Sequence, residues 1–334
     1  MKKILVTGGM GFIGSNFVRN QMQKYESLEI INLDNLSMGS NLENLSDFEK
    51  EDRYTFEKGS IANQDLLAKL VPEIDLVVNF AAETHVDRSI SNPNPFFKSN
   101  AEGVYSILEV LRESSNNPRL VHISTDEVYG EIEKGSFDED SLLDPSNPYS
   151  ATKASADMLI LSYCNTYGID ASITRCTNNF GPYQFPEKLI PKTIIRSLNN
   201  LKIPVYGTGE NIRDWIFVKD HCDAIDLVAR KGESGEIYNI SSGYEVENIE
   251  LVKKILNVVG KPTDLIEFVE DRPGHDLRYS LDSTKIREDL DWKPEKSLDQ
   301  ALKKTVDWYM ENEDWWNSIA DEKILSPRPW EEKW

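Results

Sequence analysis

Short apolar runs recur along the chain, each separated from the next by a longer stretch of mixed polarity. Ile4-Leu5-Val6, Ile30-Ile31-Asn32-Leu33, the weaker Tyr54-Thr55-Phe56, Leu76-Val77-Val78-Asn79-Phe80 and Leu120-Val121-His122-Ile123 predict five strands. Ala171-Ser172-Ile173-Thr174 and Ile237-Tyr238-Asn239-Ile240 predict two more. Runs this continuous lack the alternation of a half-exposed strand. They predict a parallel sheet covered on both faces by the helices between the strands. Two helical segments carry a strong apolar side: 97–113, through Val104, Ile107, Leu108 and Leu111, and 149–167. After residue 176 the pattern loosens, and Phe180-Gly181-Pro182, Pro204-Val205-Tyr206-Gly207 and Asp271-Arg272-Pro273-Gly274 interrupt it. The expected class is α/β, a doubly wound sheet over 1–176 with later strands returning near 210–241, interleaved with a smaller lobe over 177–334.

Thr7-Gly8-Gly9-Met10-Gly11-Phe12-Ile13-Gly14 follows the first strand and opens a helix. Glycines at 8, 11 and 14 let the backbone turn sharply and let a pyrophosphate approach the helix N-terminus, where N–H groups and the dipole favour anions. Asp34 ends the second strand, 20 residues after Gly14. A carboxylate there can accept the ribose hydroxyls and would repel a 2′-phosphate. Asn35 and Leu36 after it offer no Arg for such a phosphate, so the loop points to NAD on a Rossmann-type sheet. The bland alternative is a tight glycine turn with no ligand.

A second constellation is Ser124-Thr125-Asp126-Glu127 followed, after a loop, by Tyr149-Ser150-Ala151-Thr152-Lys153. Tyr149 and Lys153 stand at i and i+4 and share one helix face. An ammonium beside a phenol lowers the phenol's pKa, which would let Tyr149 take a proton from an alcohol. Alcohol oxidation does not need two further carboxyl groups, so Asp126 and Glu127 hint at a second chemical step. Taken alone, that pair reads as a solvated acidic turn.

Composition narrows the partners. The chain has 334 residues, a 39% hydrophobic fraction and a net charge of −20, from 37 Lys+Arg against 57 Asp+Glu. Such a surface argues against nucleic acid and anionic membrane. Cys164, Cys176 and Cys222 fit no metal spacing, so no metal is expected, and they suit a reducing cytoplasm. No signal peptide is read at the start, and no apolar run reaches the roughly 20 residues of a membrane span. His122, inside an apolar strand, reads as a satisfied core histidine, and His221 has no evident partner. Trp315, Trp316, Trp330 and Trp334 read as packing aromatics.

With Asp34-Asn35-Leu36, Ala81-Ala82-Glu83-Thr84-His85-Val86-Asp87-Arg88-Ser89, Thr125-Asp126-Glu127-Val128-Tyr129-Gly130, Asn178-Asn179-Phe180-Gly181-Pro182-Tyr183-Gln184 and Asp271-Arg272-Pro273-Gly274-His275-Asp276, the chain resembles the extended short-chain dehydrogenase/reductase family over nearly its whole length. Within that family the Asp126-Glu127 pair resembles the nucleotide-sugar 4,6-dehydratases more than the epimerases and decarboxylases. The resemblance implies dehydration of a nucleoside-diphosphate glucose, thymidine favoured over uridine, to the 4-keto-6-deoxy sugar nucleotide. It implies NAD held by Gly8, Gly11, Phe12, Ile13, Gly14, Asp34, Asn35, Leu36, Ser37, Ser60, Ile61, Ala81, Ala82, Thr84, Ser99, Tyr149, Lys153 and Asn178. It implies substrate held by His85, Thr125, Asn179, Lys188, Leu189, Tyr206, Arg213, Asn248, Arg272, His275 and Tyr279, with Asp87 in the sugar region.

In the implied chemistry Tyr149 takes the C4 hydroxyl proton, Lys153 tunes the phenol and binds ribose, and Thr125 bonds the C4 oxygen. Glu127 then removes the C5 proton and Asp126 protonates the C6 hydroxyl. Arg213 and Arg272 would clamp the pyrophosphate; each alone reads as a surface ion-pair residue. Family members are homodimers on a four-helix interface, which assigns the apolar sides of 97–113 and 149–167 to a second subunit. Three positions depart from the pattern: Ser60 replaces Asp beside the adenine, Val104 stands where Thr is commoner, and Ser241-Ser242-Gly243 replaces a more Gly-rich turn. Two rival readings are another nucleotide-sugar enzyme of this fold, a UDP-sugar dehydratase or 4-epimerase, and a non-catalytic NAD-binding sensor.

Overall fold

The computed structural model describes residues 1–271 and 274–332. In chain order its strands are β1 Lys3–Thr7, β2 Glu29–Asp34, β3 Tyr54–Lys58, β4 Leu76–Asn79, β5 Arg119–Thr125, β6 Ala171–Cys176, β7 Asn178–Phe180, β8 Ile203–Tyr206, β9 Ile212–Phe217, β10 Ile237–Ile240, β11 Glu245–Glu247 and β12 Ile266–Val269. Seven of them form a wholly parallel sheet in the order β10-β6-β5-β4-β1-β2-β3. All seven predicted runs are in it. The pleat explains why: Ile4 and Val6 of β1 enter one core with helices Phe12–Lys24 and Val218–Lys231, while Leu5 between them enters the other with helices Gly103–Glu113 and Pro148–Tyr167. The strand order reverses between β1 and β4, so a crevice opens at their carboxyl ends.

Of the 210–241 segment expected to return, Ile237–Ile240 joins the large sheet at its edge. Ile212–Phe217 does not. It pairs antiparallel with β11 and parallel with β7 in a three-stranded sheet, and β12 pairs with β8 in a third. A separate apolar core, including Phe180, Ile194, Trp215, Leu251, Leu302 and Tyr309, lies under the three-stranded sheet.

Two local features position the site. Helix Pro148–Tyr167 begins at a capping box: Ser150 N donates to Asn147 Oδ1 at 3.0 Å and Asn147 N donates to Ser150 Oγ at 3.2 Å. Proline at the first helical position adds a preset φ, so Tyr149 is held in the first turn. The predicted 97–113 helix is a π-helical turn, Phe97–Glu102, running into Gly103–Glu113. Asn100 in that turn ties the Glu83 backbone, by bonds of 2.9 and 3.0 Å, to Thr152 Oγ1 at 3.0 Å.

The apolar residues assigned to a subunit interface point the other way. Val104, Ile107, Leu108 and Leu111 are at most 2% exposed and cover the sheet. A parallel sheet needs that cover on both faces. The outward side of the same helices carries Phe97, Tyr105 and Met158, exposed by 58%, 42% and 56%. Among the described residues no helix is long and apolar enough to cross a membrane. The three cysteines are free.

Candidate active site

A cleft with about 1480 Å³ of space, part of it open to solvent, lies along the carboxyl ends of the strands. The glycine loop forms its floor. Gly8 has φ +72, and a Cβ there would meet Ala81 N at 2.6 Å; one on Gly14 would meet Gly8 O at 2.3 Å. These two glycines let strand, loop and helix pack closely. Gly11 precedes helix Phe12–Lys24, which starts without a side-chain cap, so its N–H end is uncovered toward the cleft. A loop shaped in this way fits a diphosphate.

Asp34, 4% exposed, accepts from Met10 N at 2.9 Å, Leu36 N at 2.8 Å and Ser40 Oγ at 2.9 Å. Burial raises its pKa and these three donors oppose the rise. A carboxylate offers about four lone-pair sites, so Asp34 has room for about one more donor unless Ser40 turns away. Phe12, Ile13, Asn35, Ser37, Ser60, Ile61, Ala81, Ala82, Thr84, Ser99 and Asn178 line the same cleft. Leu36 is not among the lining residues; it takes φ 58 and packs against the core beside helix Phe12–Lys24. Ser60 Oγ accepts from Ala62 N at 3.2 Å and so stabilises its own turn.

The residues expected to carry the chemistry, Thr125, Asp126, Glu127, Tyr149 and Lys153, line the same cleft. Thr125 is the last residue of β5. Its hydroxyl donates to Asp126 Oδ1 at 3.1 Å and accepts from Glu127 N at 3.3 Å. Asp126 Oδ2 is buried without a hydrogen-bond partner among the described residues. Burial first, and the Glu127 charge second, push the Asp126 carboxyl up to about 8. Tyr149 departs from expectation. Its phenol is pushed well above its usual range by burial and then by Glu127, with a bond to Thr125 opposing. The reason is where the ammonium points: Lys153 Nζ donates to Ile123 O at 2.6 Å and lies 3.1 Å from His122 Nε2. Burial lowers Lys153 to about 8, against the pull of Asp157.

The residues assigned to substrate divide. Asn179 and Lys188 line the cleft; Lys188 Nζ donates to Thr84 O at 3.0 Å, and burial lowers its pKa. Arg213 is buried rather than on the surface. Its guanidinium donates to the carbonyls of Ile212, Leu277 and Asp276 at 2.7, 3.1 and 2.8 Å and stacks 4.3 Å over the Tyr279 ring. It is close enough to pull down the Asp126 pKa. Tyr279 donates to Asp276. His85 caps helix Val86–Ser91 and lies 3.9 Å from Glu187. Tyr206 donates to Asp87 at 3.4 Å and meets Trp330 edge-on at 5.0 Å. His275 lies 2.6 Å from Asp271. Leu189 and Asn248 begin helices Leu189–Leu198 and Asn248–Val259, and Asn248 Oδ1 is buried without a partner among the described residues. Arg272 and Trp334 lie outside the described residues.

His221 has a partner after all, Asn179 Oδ1 at 2.8 Å. Trp315 and Trp316 pack as expected, against Trp308 and under Tyr309 O. Cys176, Gln184 and Glu187 also line the cleft and were not anticipated. Cys176 ends β6 at the strand edge where cleft residues gather, and Glu187 precedes Lys188, so position gave a usable signal for both.

The GDP-mannose 4,6 dehydratase family is matched over residues 5–305. The chain belongs to that family. It is 46% identical to a dTDP-glucose 4,6-dehydratase of Streptomyces niveus, covering 97% of this chain and 98% of the relative. It is 49% identical to the low-salt glycan biosynthesis protein Agl12 of Haloferax volcanii, covering 92% and 98%. The solved dTDP-glucose 4,6-dehydratase of Bacillus anthracis, in complex with NAD, superposes with a TM-score of 0.90 at 44% identity, over 96% of this chain and 100% of that one.

Proposed function

We propose that this protein is an NAD-dependent dTDP-glucose 4,6-dehydratase, forming the 4-keto-6-deoxy sugar nucleotide and water. The observation that carries the reading is the pair Asp126 and Glu127, next to Thr125 and in one cleft with Tyr149 and Lys153, with Asp126 held as an acid near neutrality. An epimerase needs no such acid. The full-length likeness to a dTDP-glucose 4,6-dehydratase supports the same choice.

Bound NAD would supply a reversible hydride acceptor, for the hydride that leaves C4 of the glucose and ends on C6. The glycine loop holds the diphosphate and Asp34 the ribose, where its charge repels a 2′-phosphate. Tyr149, whose phenol burial holds protonated, would ionise beside the positive charge of bound NAD and so remove the C4 hydroxyl proton, and Thr125 bonds the same oxygen. Lys153 fixes the ribose beside the phenol. Once C4 is a carbonyl, the C5 proton is acidic, and Glu127 takes it. Asp126 gives its proton to the C6 hydroxyl, which leaves as water. The proton held by Glu127 returns to C5 as C6 is reduced. The pair starts with one proton, on Asp126, and the proton that Tyr149 took from O4 replaces it, so the enzyme ends as it began. Arg213, with Arg272, balances the substrate's negative charge, exchanging its carbonyl bonds for phosphate oxygens.

Residues 1–176 with β10 form the cofactor-binding domain, and most of 177–334 the nucleotide-sugar lobe. The protein works in the cytoplasm, which suits three free thiols. It is a homodimer through the outward side of the two helices, where Phe97, Tyr105, Met158 and Leu159 border an apolar groove. Incubation with dTDP-glucose and, in parallel, UDP-glucose tests the function. A 4-keto-6-deoxy product from dTDP-glucose is expected; a C4 epimer, or no turnover of either, would sink the reading.

A further inference from the structure

Behind the cleft a line of buried polar side chains crosses the sheet. Thr7 Oγ1 lies 2.6 Å from one end of the Asn79 amide, and the other end of that amide lies 2.9 Å from His122 Nδ1. His122 Nε2 lies 3.1 Å from Lys153 Nζ, which also donates to Ile123 O at 2.6 Å. The four side chains belong to β1, β4, β5 and helix Pro148–Tyr167, and none is more than 2% exposed. An imidazole buried here without partners would be destabilising, so each nitrogen has to be bonded, and each is.

Charge sets the direction of these bonds. An ammonium has three donors and no acceptor. Burial and the Lys153 charge keep His122 neutral. Asp157 Oδ1 comes only to 4.0 Å from Nε2, and its other oxygen accepts from Arg175 Nε at 2.9 Å. Nε2 therefore accepts from Lys153, and Nδ1 carries the proton and donates to Asn79. The Asn79 amide has its oxygen toward Thr7 and its NH2 toward His122, which would set two donors face to face at Nδ1; exchanging the two ends of the amide in place lets its oxygen accept from Nδ1–H and its NH2 donate to Thr7 Oγ1. With Ile123 O and His122 holding two ammonium hydrogens, the third is left for the cleft that Lys153 lines.

We propose that His122 is a positioning residue for the reaction: as the neutral Nδ1–H tautomer it accepts a hydrogen bond from Lys153 and holds the ammonium with one N–H aimed into the cleft, while Asn79 and Thr7 fix the tautomer. What the aimed ammonium accomplishes rests on the dehydratase reading; the tautomer does not. A histidine kept only for packing has no need of the Nδ1–H form.

The chain's four histidines make ring 15N NMR tractable, and His122→Gln assigns the His122 signals by their disappearance. At pH 7 the whole protein should show Nδ1 protonated and Nε2 bare at His122. A protonated Nε2 overturns the proposal whatever the activity. The kinetic arm compares His122→Met, which has no comparable acceptor, with His122→Gln, whose Oε1 can take the place of Nε2. His122→Met should lower kcat about 10- to 100-fold and leave KM for the sugar nucleotide within about twofold. His122→Gln should recover most of the loss. Unchanged kcat in His122→Met overturns the proposal, as does a Gln variant no better than a folded Met variant. If the Met variant does not fold, the tautomer of the unmodified protein decides. Absence of turnover on any sugar nucleotide by the unmodified protein would remove the dehydratase reading and leave the tautomer result standing.

Discussion

Replacing Asp126 by Asn keeps the side chain's shape and its bond from the Thr125 hydroxyl, and removes only the proton it can give. Burial and Glu127 raise this carboxyl from 3.8 to about 8. That is about four units, and at about 1.36 kcal/mol per unit, ionising Asp126 in place costs about 5 kcal/mol. The group is thus an acid through neutrality. A general acid is worth about 10²–10⁴ in rate, so Asp126→Asn should slow water loss by that factor. C4 oxidation should survive, even with Glu127→Gln added, because neither carboxyl acts in that step. Rapid-quench mass spectrometry should then show the 4-keto-glucose nucleotide accumulating. In the unmodified enzyme the acid is present below about pH 8 and lost above it, so turnover should fall as pH rises through that value. Stability follows the same group. Between 3.8 and about 8 the folded state keeps a proton that the unfolded chain has released, so this group's contribution to stability declines as pH rises through that window and levels off above it. Asn suffers no such decline. The advantage of Asp126→Asn in chemical denaturation should therefore grow from pH 5 to pH 9, by about 4 kcal/mol. A flat turnover profile from pH 7 to 9, together with an equal stability gap at both ends, would refute the assignment. So would a double variant that cannot oxidise C4.

Three further outcomes are expected. The unmodified apoprotein should bind NAD more tightly than NADP, and Asp34→Ala should narrow the gap; calorimetric titration giving equal affinities before mutation would contradict the role of Asp34. Arg213→Ala should lower kcat/KM by about 1.5–3 kcal/mol, mainly through KM, and Arg213→Lys should restore part, since charge returns without the fork; the lower end is favoured because phosphate would replace existing carbonyl bonds. Light scattering at micromolar concentration should give twice the 38.1 kDa chain mass, and Met158→Asp should return it to one chain, whereas a monomer before mutation would end the dimer proposal.

The strands, the glycine loop and the two reacting motifs were legible along the chain because each depends on neighbours a few residues apart. An apolar run of four or five residues fits a buried strand wherever it sits. Tyr149 and Lys153 share a helix face by spacing alone. Asp34 follows Gly14 at the distance that one helix and one strand impose. What the tertiary structure decided concerns direction and surroundings. Val104, Ile107, Leu108 and Leu111 have the same pattern whether a helix faces a sheet or a partner; the crossover placed them on the sheet. Spacing put an ammonium near a phenol, but folding gave Lys153 a carbonyl and an imidazole from β5, so burial, not the ammonium, governs Tyr149. Arg213 taken alone read as a surface ion-pair residue, with the resemblance placing it on the substrate pyrophosphate; folding encloses it among three carbonyls and a tyrosine ring. His122 read as a satisfied core histidine and is one, but its two partners, residues 79 and 153, lie on either side of it in the chain and on different elements, so the sequence did not name them. Burial and long-range pairing arise from segments far apart in sequence, so no local pattern encodes them; they turn a Thr-Asp-Glu turn from a solvated acidic loop into one whose Asp126 is buried and holds its proton near neutrality.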